Sequence, residues 1–305
     1  MPELPEVETI ARGLDKRIAG DTIESVWLGE KPEPLKSSPA EIASVLEHSR
    51  IAHVRRVGKH IVFDLEPTQR GPRLASKRRT RTWGTKSNPQ PRAVPSAVEP
   101  PRAQWIVHLG MTGQLLIASP EAEIEKHTHA VLKLASGREL RFVDPRRFGR
   151  LAVVRLGAQN GSGFAAPGDE PLEAQSDRFI SLFRHRKTPI KSALLNQKLL
   201  SGVGNIYADE SLFRAGIRPR RRASSLTHAE LQKLHAALIE VLREAIKLGG
   251  SSVSDYVDAE GREGFFQLQH RVYGREGQPC LVCRTPVKRV IIAGRSSHYC
   301  PHCQK

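Results

Sequence analysis

The chain has 305 residues, of which 39% are hydrophobic and 26% charged, and its formal net charge is +16. This length and apolar content predict about two domains with a small appendage and exclude a wholly disordered chain. No apolar run approaches the roughly 18 residues of a membrane span, and the acidic start Met1-Pro2-Glu3-Leu4-Pro5-Glu6 excludes a secretory signal peptide, so we expect a cytoplasmic protein.

The excess of basic residues favours a nucleic acid partner, because neutralising phosphates releases counterions. An anionic membrane and a merely solvated basic surface are the alternatives. Half of the net charge lies in Pro67–Gln104, a segment with nine basic residues, one acidic residue and seven prolines. This segment has no apolar periodicity, so we expect a mostly disordered insertion.

The first half of the chain predicts one leading helix and a β-sandwich. Apolar residues recur at helical spacing over Pro5–Ile18, and Pro5 suits a first helical turn. Eight short runs then predict strands, with Ser136-Gly137 as a hairpin turn. The predicted strands are Thr22–Leu28, Ile51–Val57, Ile61–Leu65, Trp105–Leu109, Leu115–Ala118, Ala130–Leu134, Glu139–Val143 and Leu151–Arg155.

A Gly/Ala/Pro-rich linker follows, and from Asp177 the pattern becomes helical. The predicted helices are Pro189–Leu200, Ile206–Ala215 with Asn205 as its cap and Gly216 at its end, and a long helix opened by the capping box Thr227-His228-Ala229-Glu230 and stopped by Gly249-Gly250. The Gly-rich turn between Leu199 and Asn205 allows a close backbone approach, and the helix after it offers free N–H groups to a phosphate. Such junctions are common, so this signal alone is weak.

The C-terminus carries two CxxC pairs, Cys280/Cys283 and Cys300/Cys303. Four thiolates at this spacing predict one structural Zn²⁺ held in a tetrahedral site with no open position for catalysis. Val287–Ile292 and Ser297–Tyr299 can pair as a hairpin with Arg295 at the turn. Two redox-active pairs are the alternative, and such a finger could also bind protein.

Removal of Met1 would leave Pro2 with a free secondary amine. The pKa of an α-amine is about 7.7–8.0, against about 10.4 for lysine, so this amine is a ready nucleophile toward a sugar aldehyde carbon. Glu3 and Glu6 lie beside it and can handle protons. The alternative is an ordinary helix start, in which Pro and Glu are favoured by stereochemistry and the helix dipole.

The opening Met1-Pro2-Glu3-Leu4-Pro5-Glu6-Val7-Glu8-Thr9 closely resembles that of bacterial formamidopyrimidine-DNA glycosylases, which are 8-oxoguanine DNA glycosylases. The resemblance covers nearly the whole chain except Pro67–Gln104. Further motifs that carry it are Gly58-Lys59-His60, His108 to Gly113, Asp144 to Gly149, Gly202 to Glu210, Gly264-Phe265-Phe266, Val272 to Arg275 and the four-cysteine finger.

The resemblance implies a multidomain α+β fold: an N-terminal β-sandwich with a leading helix, a helix–two-turn–helix domain and a C-terminal β-hairpin zinc finger. The implied boundaries are 1–156 for the catalytic domain, 157–176 for the linker, 177–265 for the helical domain and 266–305 for the finger. Damaged double-stranded DNA would lie between the lobes of a monomeric bacterial protein that associates with the nucleoid and not with a membrane.

The resemblance also implies residue roles. Pro2 would be the nucleophile at the anomeric carbon, Glu3 the general acid/base and Glu6 its support. Lys59 and Arg295 would also belong to the catalytic residues, and both match positions that bind phosphate in the family. His108 and Asn205 would bind phosphates, and Lys191 matches a family lysine near the lesion. Met111, Arg146 and Phe148 would fill the gap left by an extruded base, and Ser251–Gly264 would be a mobile loop that caps the lesion.

The implied activity is a bifunctional one, excision of an oxidised purine followed by β,δ-elimination at the abasic site. Two alternatives remain at this point. One is an oxidised-pyrimidine glycosylase of the endonuclease VIII type, against which the opening motif and the Met111/Arg146/Phe148 set argue. The other is a non-catalytic zinc-finger DNA-binding protein.

Overall fold

A computed structural model describes residues 2–68, 103–157, 163–252 and 257–305. Most of the basic insertion, residues 158–162 near the start of the linker and part of the Ser251–Gly264 segment therefore lie outside the described residues. Within the described ranges, no helix is long and apolar enough to cross a membrane.

The leading helix α1 spans Leu4–Ile18 and begins at a capping box. The Glu3 side chain accepts the backbone N–H of Glu6, and the Glu6 side chain accepts that of Glu3. These reciprocal bonds satisfy donors that a helix start leaves unpaired. The apolar stripe of the helix is buried in the core of the first domain, so the helix fixes Glu3 and Glu6 relative to that core.

Two antiparallel four-stranded sheets form the predicted sandwich. One sheet has the order β1 (Ile23–Leu28), β6 (Thr128–Leu134), β7 (Glu139–Val143) and β5 (Gln114–Ala118). The other has the order β2 (Ser49–Val57), β3 (His60–Pro67), β4 (Ala103–His108) and β8 (Arg150–Arg155). All eight predicted strands are confirmed within a few residues. The sequence analysis missed a short helix, α2 (Pro39–Leu46), which Ser38 caps by accepting the N–H of Glu41.

Four helices form the second domain, with a core of their own. They are α3 (Ser176–Phe183), α4 (Ile190–Leu194), α5 (Asn205–Ala215) and α6 (His228–Lys247). The long α6 has the predicted Thr227 capping box, and Gly216 ends α5 in the left-handed conformation, as predicted.

Two helix predictions in this domain are wrong in detail. The helix predicted over Pro189–Leu200 ends at Leu194, because the Asn196 side chain accepts the N–H of Lys198 and so favours a local turn over another helical turn. Asn205 is not the cap of α5 but its first residue, and Gly204 is the cap. The Asn205 amide instead donates to Ser296 Oγ in the finger, over 3.3 Å.

The C-terminal finger is a hairpin of β9 (Lys288–Ile292) and β10 (Arg295–Tyr299), joined by Ala293 and Gly294. Two buried carboxylates of α5 hold the finger segment. Asp209 accepts the backbone N–H of His298 over 2.9 Å, and Glu210 accepts three successive N–H groups, those of Arg271, Val272 and Tyr273. The position of the hairpin turn, and of Arg295 beside it, is therefore set by α5.

Candidate active site

A cavity of about 750 Å³ lies where the three parts of the chain meet. Seven of the residues singled out from the sequence line it: Pro2, Glu3, Glu6, Lys59, Met111, Asn205 and Arg295. These residues come from the N-terminus, the β2–β3 turn, the loop after β4, α5 and the hairpin. The fold thus brings together an N-terminal residue, two carboxylates and two cations that are far apart in sequence.

The Glu3 carboxylate is buried against the N-terminus of α5. Its Oε1 accepts the N–H of Ile206 over 3.3 Å, while Oε2 has no hydrogen-bond partner among the described residues. Burial raises the pKa of Glu3 to about 7, with the nearby Glu6 adding to the rise and Lys59 opposing it. A carboxyl group that titrates near neutral pH can both donate and accept a proton under ordinary conditions.

The Glu6 carboxylate has a different environment, because three donors surround it. The N–H of Glu3 donates to Oε2 over 2.8 Å, the N–H of Ser251 donates to Oε1 over 2.8 Å, and the Tyr207 hydroxyl also donates to Oε1. Burial raises the pKa of Glu6, whereas these donors favour the ionised form and oppose the rise. The Glu6 carboxylate therefore serves as a hydrogen-bond acceptor. Oε2 of Glu3, by contrast, has no hydrogen-bond partner among the described residues.

Lys59 and Arg295 both line the cavity and supply positive charge to it. Burial lowers the pKa of Lys59, and the carboxylates of Glu3 and Glu6 oppose that change. The proximity of Arg295 lowers the pKa of Lys59 further. Two cations lining one cavity favour a bound anion, and a phosphate suits the position of both.

His108 lies outside the cavity lining, beside His60, with 4.9 Å between the ring centroids. Burial lowers the pKa of His108 to about 4, and the neighbouring His60, Arg150 and Lys59 contribute to the shift. The N–H of Gly110 donates to Nδ1 of His108 over 3.0 Å. A neutral His108 therefore carries its proton on Nε2, where it can be donated to a phosphate oxygen.

Met111 and Phe148 are exposed, with 40% and 54% of their surfaces accessible. The Arg146 guanidinium lies 5.0 Å from the centre of the Phe148 ring. One buried carboxylate, Asp144, fixes both loops by accepting from the Thr112 hydroxyl over 2.6 Å and from the N–H of Gly149 over 2.7 Å. The three side chains thus project from one rigid pair of loops.

Lys191 does not line the cavity. Its side chain is 1% exposed and its Nζ lies 2.6 Å from Asp209 Oδ1 and 2.6 Å from the Ser296 carbonyl oxygen that accepts its proton. Burial lowers the pKa of Lys191, and Asp209 opposes that change. Because Ser296 follows Arg295, Lys191 joins α4 and α5 to the strand that carries Arg295.

The four cysteines of the finger form a metal site. Their sulfurs all lie within 4.8 Å of one another, and the pairs Cys280/Cys303 and Cys283/Cys300 are 3.9 and 3.4 Å apart. A tetrahedral zinc ion with Zn–S bonds of about 2.3 Å requires sulfurs about 3.8 Å apart, so the cluster fits this ion. None of the four cysteines is in a disulfide. The finger holds one structural zinc, as the spacing predicted.

Sequence reasoning gave no individual role to several residues that shape this site, although it placed Ser251 in the capping loop and Gly204 in the Gly-rich turn. Tyr207, Ser251 and Tyr273 line or support the cavity, and Gly204 lies against Glu3. Tyr207 and Gly204 lie within the Gly202 to Glu210 motif and Tyr273 within the Val272 to Arg275 motif, so the resemblance marked the segments. Nothing in the sequence says what Tyr207 touches.

Three family models match the chain. The formamidopyrimidine-DNA glycosylase N-terminal domain matches residues 1–151, the H2TH domain of the same glycosylase matches residues 167–257, and a zinc finger found in FPG and IleRS matches residues 277–305.

Curated relatives are similar over their whole length. The formamidopyrimidine-DNA glycosylase of Solibacter usitatus is 43% identical over 310 residues, and that of Gluconobacter oxydans is 40% identical over 312 residues, with 100% of each chain covered in both comparisons.

Solved structures of FPG proteins are similar to this chain in both fold and sequence. A Lactococcus lactis FPG mutant in complex with Fapy-dG containing DNA has a TM-score of 0.81 at 30% identity, with 100% of both chains covered. The Thermus thermophilus MutM (FPG) protein has a TM-score of 0.77 at 39% identity, covering 99% of this chain and 98% of its own.

Proposed function

The chain belongs to the formamidopyrimidine-DNA glycosylase family, and from this membership we propose that it excises oxidised purines from DNA and then cleaves the abasic site. Its substrates would be 8-oxoguanine and formamidopyrimidines in double-stranded DNA. One observation carries the proposal: the unpartnered Oε2 of Glu3, whose pKa is about 7, lies in a cavity that Pro2 also lines, beside two cations.

The reaction begins with Pro2, freed by removal of Met1. Its secondary amine forms a bond to C1′ of the damaged nucleoside as the bond from C1′ to the base breaks. The base leaves with that electron pair, and Glu3 supplies the proton that the departing group needs. The C1′–O4′ bond then breaks, the Pro2 nitrogen loses its proton and O4′ gains one, so that the sugar ring opens and an iminium is left between Pro2 and C1′. Loss of a C2′ proton expels the 3′ phosphate, and a second elimination expels the 5′ phosphate, so the strand is cut on both sides.

Lys59, Arg295, His108 and Asn205 would hold the DNA backbone. Lys59 and Arg295 offer positive charge to a phosphate, while His108 offers a neutral N–H. Met111, Arg146 and Phe148 would enter the duplex where the damaged base leaves the stack, because exposed apolar side chains and an arginine can replace lost stacking. Lys191 would act near the lesion indirectly: it holds the Ser296 carbonyl and thereby fixes the position of Arg295.

We propose the domain division 1–156, 157–176, 177–265 and 266–305, with the basic insertion 67–104 in the first domain. Damaged duplex DNA would lie between the lobes. The protein would act as a monomer in the bacterial cytoplasm, associated with the nucleoid through its DNA.

A second candidate is excision of oxidised pyrimidines. One solved neighbour, wild-type Lactococcus lactis FPG, is described in complex with an oxidised pyrimidine containing DNA. This observation keeps pyrimidine lesions among the substrates to be tested. A purely DNA-binding role is disfavoured, because binding alone gives no reason to bury a carboxyl group with a free oxygen beside the N-terminus.

Borohydride trapping tests the proposal. Duplexes containing 8-oxoguanine or thymine glycol are incubated with the protein and borohydride, which reduces an iminium to a stable adduct. We expect an adduct on the 8-oxoguanine duplex, and mass spectrometry should locate it on residue 2. Protein that retains Met1 is the control and should form none, because an amide nitrogen cannot form the iminium. An adduct on a lysine, or full activity with Met1 attached, would contradict the mechanism.

A further inference from the structure

Tyr207 is a buried tyrosine of α5 whose hydroxyl donates to Glu6 Oε1. Its ring packs beside the Phe266 ring, with 5.5 Å between centroids, so the side chain is fixed within the core of the helical domain. A tyrosine at this position is not needed for packing alone, since a phenylalanine ring would fill the same volume. The hydroxyl reaches a carboxylate that belongs to a different domain.

Glu6 joins three parts of the site through this and its other hydrogen bonds. Its Oε2 accepts the N–H of Glu3, and its Oε1 accepts both the Tyr207 hydroxyl and the N–H of Ser251. Ser251 is the first residue of the segment 251–264 that precedes Phe265 and Phe266. One carboxylate therefore connects the backbone of Glu3, helix α5 and the start of that segment.

We propose that Tyr207 is a positioning residue for base excision, because its hydroxyl fixes the Glu6 carboxylate between the backbone N–H groups of Glu3 and Ser251. The inference rests on the function proposed above. It assigns Glu6 the role of an anchor rather than of a proton donor, since the N–H groups of Glu3 and Ser251 and the Tyr207 hydroxyl are all directed at its oxygens. Glu3 keeps the proton-transferring role.

The arrangement also has an electrostatic consequence for Glu3. The charged and titratable groups that face Glu3 and Glu6 are Lys59 from the β2–β3 turn, the N-terminal amine, and Tyr207 from α5, with Lys191 and Tyr273 also acting on Glu3. Negative charge on Glu6 raises the pKa of Glu3, and the Tyr207 hydroxyl favours that charge. Loss of the hydroxyl should therefore lower the pKa of Glu3.

Tyr207→Phe tests this role, with Tyr299→Phe as the matched control. The control makes the same chemical change in β10 of the finger, where Tyr299 pairs with Lys288. Two rates are compared across pH 5–9 for the parent and both variants: single-turnover excision of 8-oxoguanine, and borohydride trapping on a duplex with a preformed abasic site. Trapping needs the Pro2 amine but no departure of a base, so it reports whether the folded site is intact.

We expect Tyr207→Phe to move the alkaline limb of excision to lower pH. Excision at pH 8 should fall on the order of tenfold, the size of a shift of about one pH unit. Abasic trapping should change by less than about twofold, and Tyr299→Phe should behave as the parent.

Three outcomes would contradict the role. If Tyr207→Phe excises 8-oxoguanine at the rate of the parent and with the same pH dependence, the hydroxyl is dispensable. Equal losses of excision and trapping mean that Tyr207 only stabilises the fold. A parent that forms no adduct on either duplex overturns the proposed function and this inference with it, whereas an active parent with an unaffected variant overturns this inference alone.

Discussion

The carboxyl group of Glu3 occupies the space in which residue 204 would carry a Cβ. A Cβ built on Gly204 would lie 1.9 Å from Glu3 Cδ, well inside the closest approach of real atoms. Gly204 is also the N-cap of α5, and Glu3 accepts the N–H of Ile206 in the first turn of that helix. The glycine-rich turn, which suggested a phosphate site from sequence, serves here to admit a carboxylate.

Gly204→Ala should therefore displace Glu3 and reduce base excision by about 100-fold or more, the scale of a lost general acid/base. Overpacking should also cost about 1–3 kcal/mol of unfolding free energy. Single-turnover excision, measured well below the unfolding temperature, checks the first effect. Gly13→Ala is the matched control in α1, because its Cβ would meet its nearest neighbours at 3.8 Å, an ordinary contact. Parental excision by Gly204→Ala would show that Glu3 need not stay against α5.

The pKa of Glu3 predicts the pH profile of excision. Glu3 carries its proton below a pKa of about 7, so excision that needs this proton should decline as the pH rises through about 7. Lys59 lowers the pKa of Glu3, so Lys59→Gln should move this limb to higher pH while weakening DNA binding. Lys133→Gln, which removes an exposed lysine of β6, is the control for the change of net charge. If excision by Lys59→Gln declines at the same pH as excision by the parent, a group other than Glu3 controls the decline.

Lys191 should support the finger and not contact phosphate. Loss of one phosphate contact reduces the slope of log K against log salt by about 0.9. We expect Lys191→Met to leave the slope unchanged and to lower the unfolding temperature, because the buried charge of Asp209 then lacks the lysine cation that balances it. Lys59→Gln should reduce the slope. Fluorescence titration of a lesion duplex at several salt concentrations distinguishes the two, and a reduced slope for Lys191→Met would mean that Lys191 reaches the DNA.

The zinc site should stabilise the finger that helps to hold DNA, without taking part in the reaction. Metal analysis should give about one zinc per chain, and Cys300→Ser should lose the metal and unfold the hairpin that carries Arg295. Duplex binding should weaken strongly, since both Lys191 and Asp209 hold a strand that would no longer form. Full-strength lesion binding by protein verified to be free of zinc would contradict this role.

The basic insertion should be dispensable for chemistry. The strands on either side of it, β3 and β4, are antiparallel neighbours, with Leu65 opposite Ala103. Such neighbours can be joined by a short hairpin, so replacing residues 69–102 with a short Gly/Ser connection should preserve the sheet and single-turnover excision. Binding should become less sensitive to salt if the basic residues contact phosphates. Loss of excision in a folded deletion variant would place the insertion in the active site.

The sequence by itself determined the elements whose signals are local. Short β-branched runs, several of them alternating, marked the eight strands, the Thr227 capping box marked the start of α6, and the spacing of four cysteines marked the zinc site. The strand and capping-box signals depend on residues a few positions apart, where covalent geometry and hydrogen bonding between neighbours decide the outcome, and the zinc signal depends on two close cysteine pairs within the short segment from Cys280 to Cys303. The family resemblance then supplied the cavity residues by position, without their surroundings.

Only the tertiary structure decided what those residues do to one another. Glu3 and Gly204 are two hundred positions apart, yet the pKa of Glu3 depends on its burial against α5 and on the nearby Lys59. Lys191 was expected near the lesion from the resemblance, and the structure adds that it is buried in an ion pair with Asp209 and donates to the Ser296 carbonyl of the hairpin. Asn205, expected to cap its own helix, bonds to the finger. Desolvation, charge proximity and donor geometry all depend on which distant segments pack together, and no local pattern carries that information.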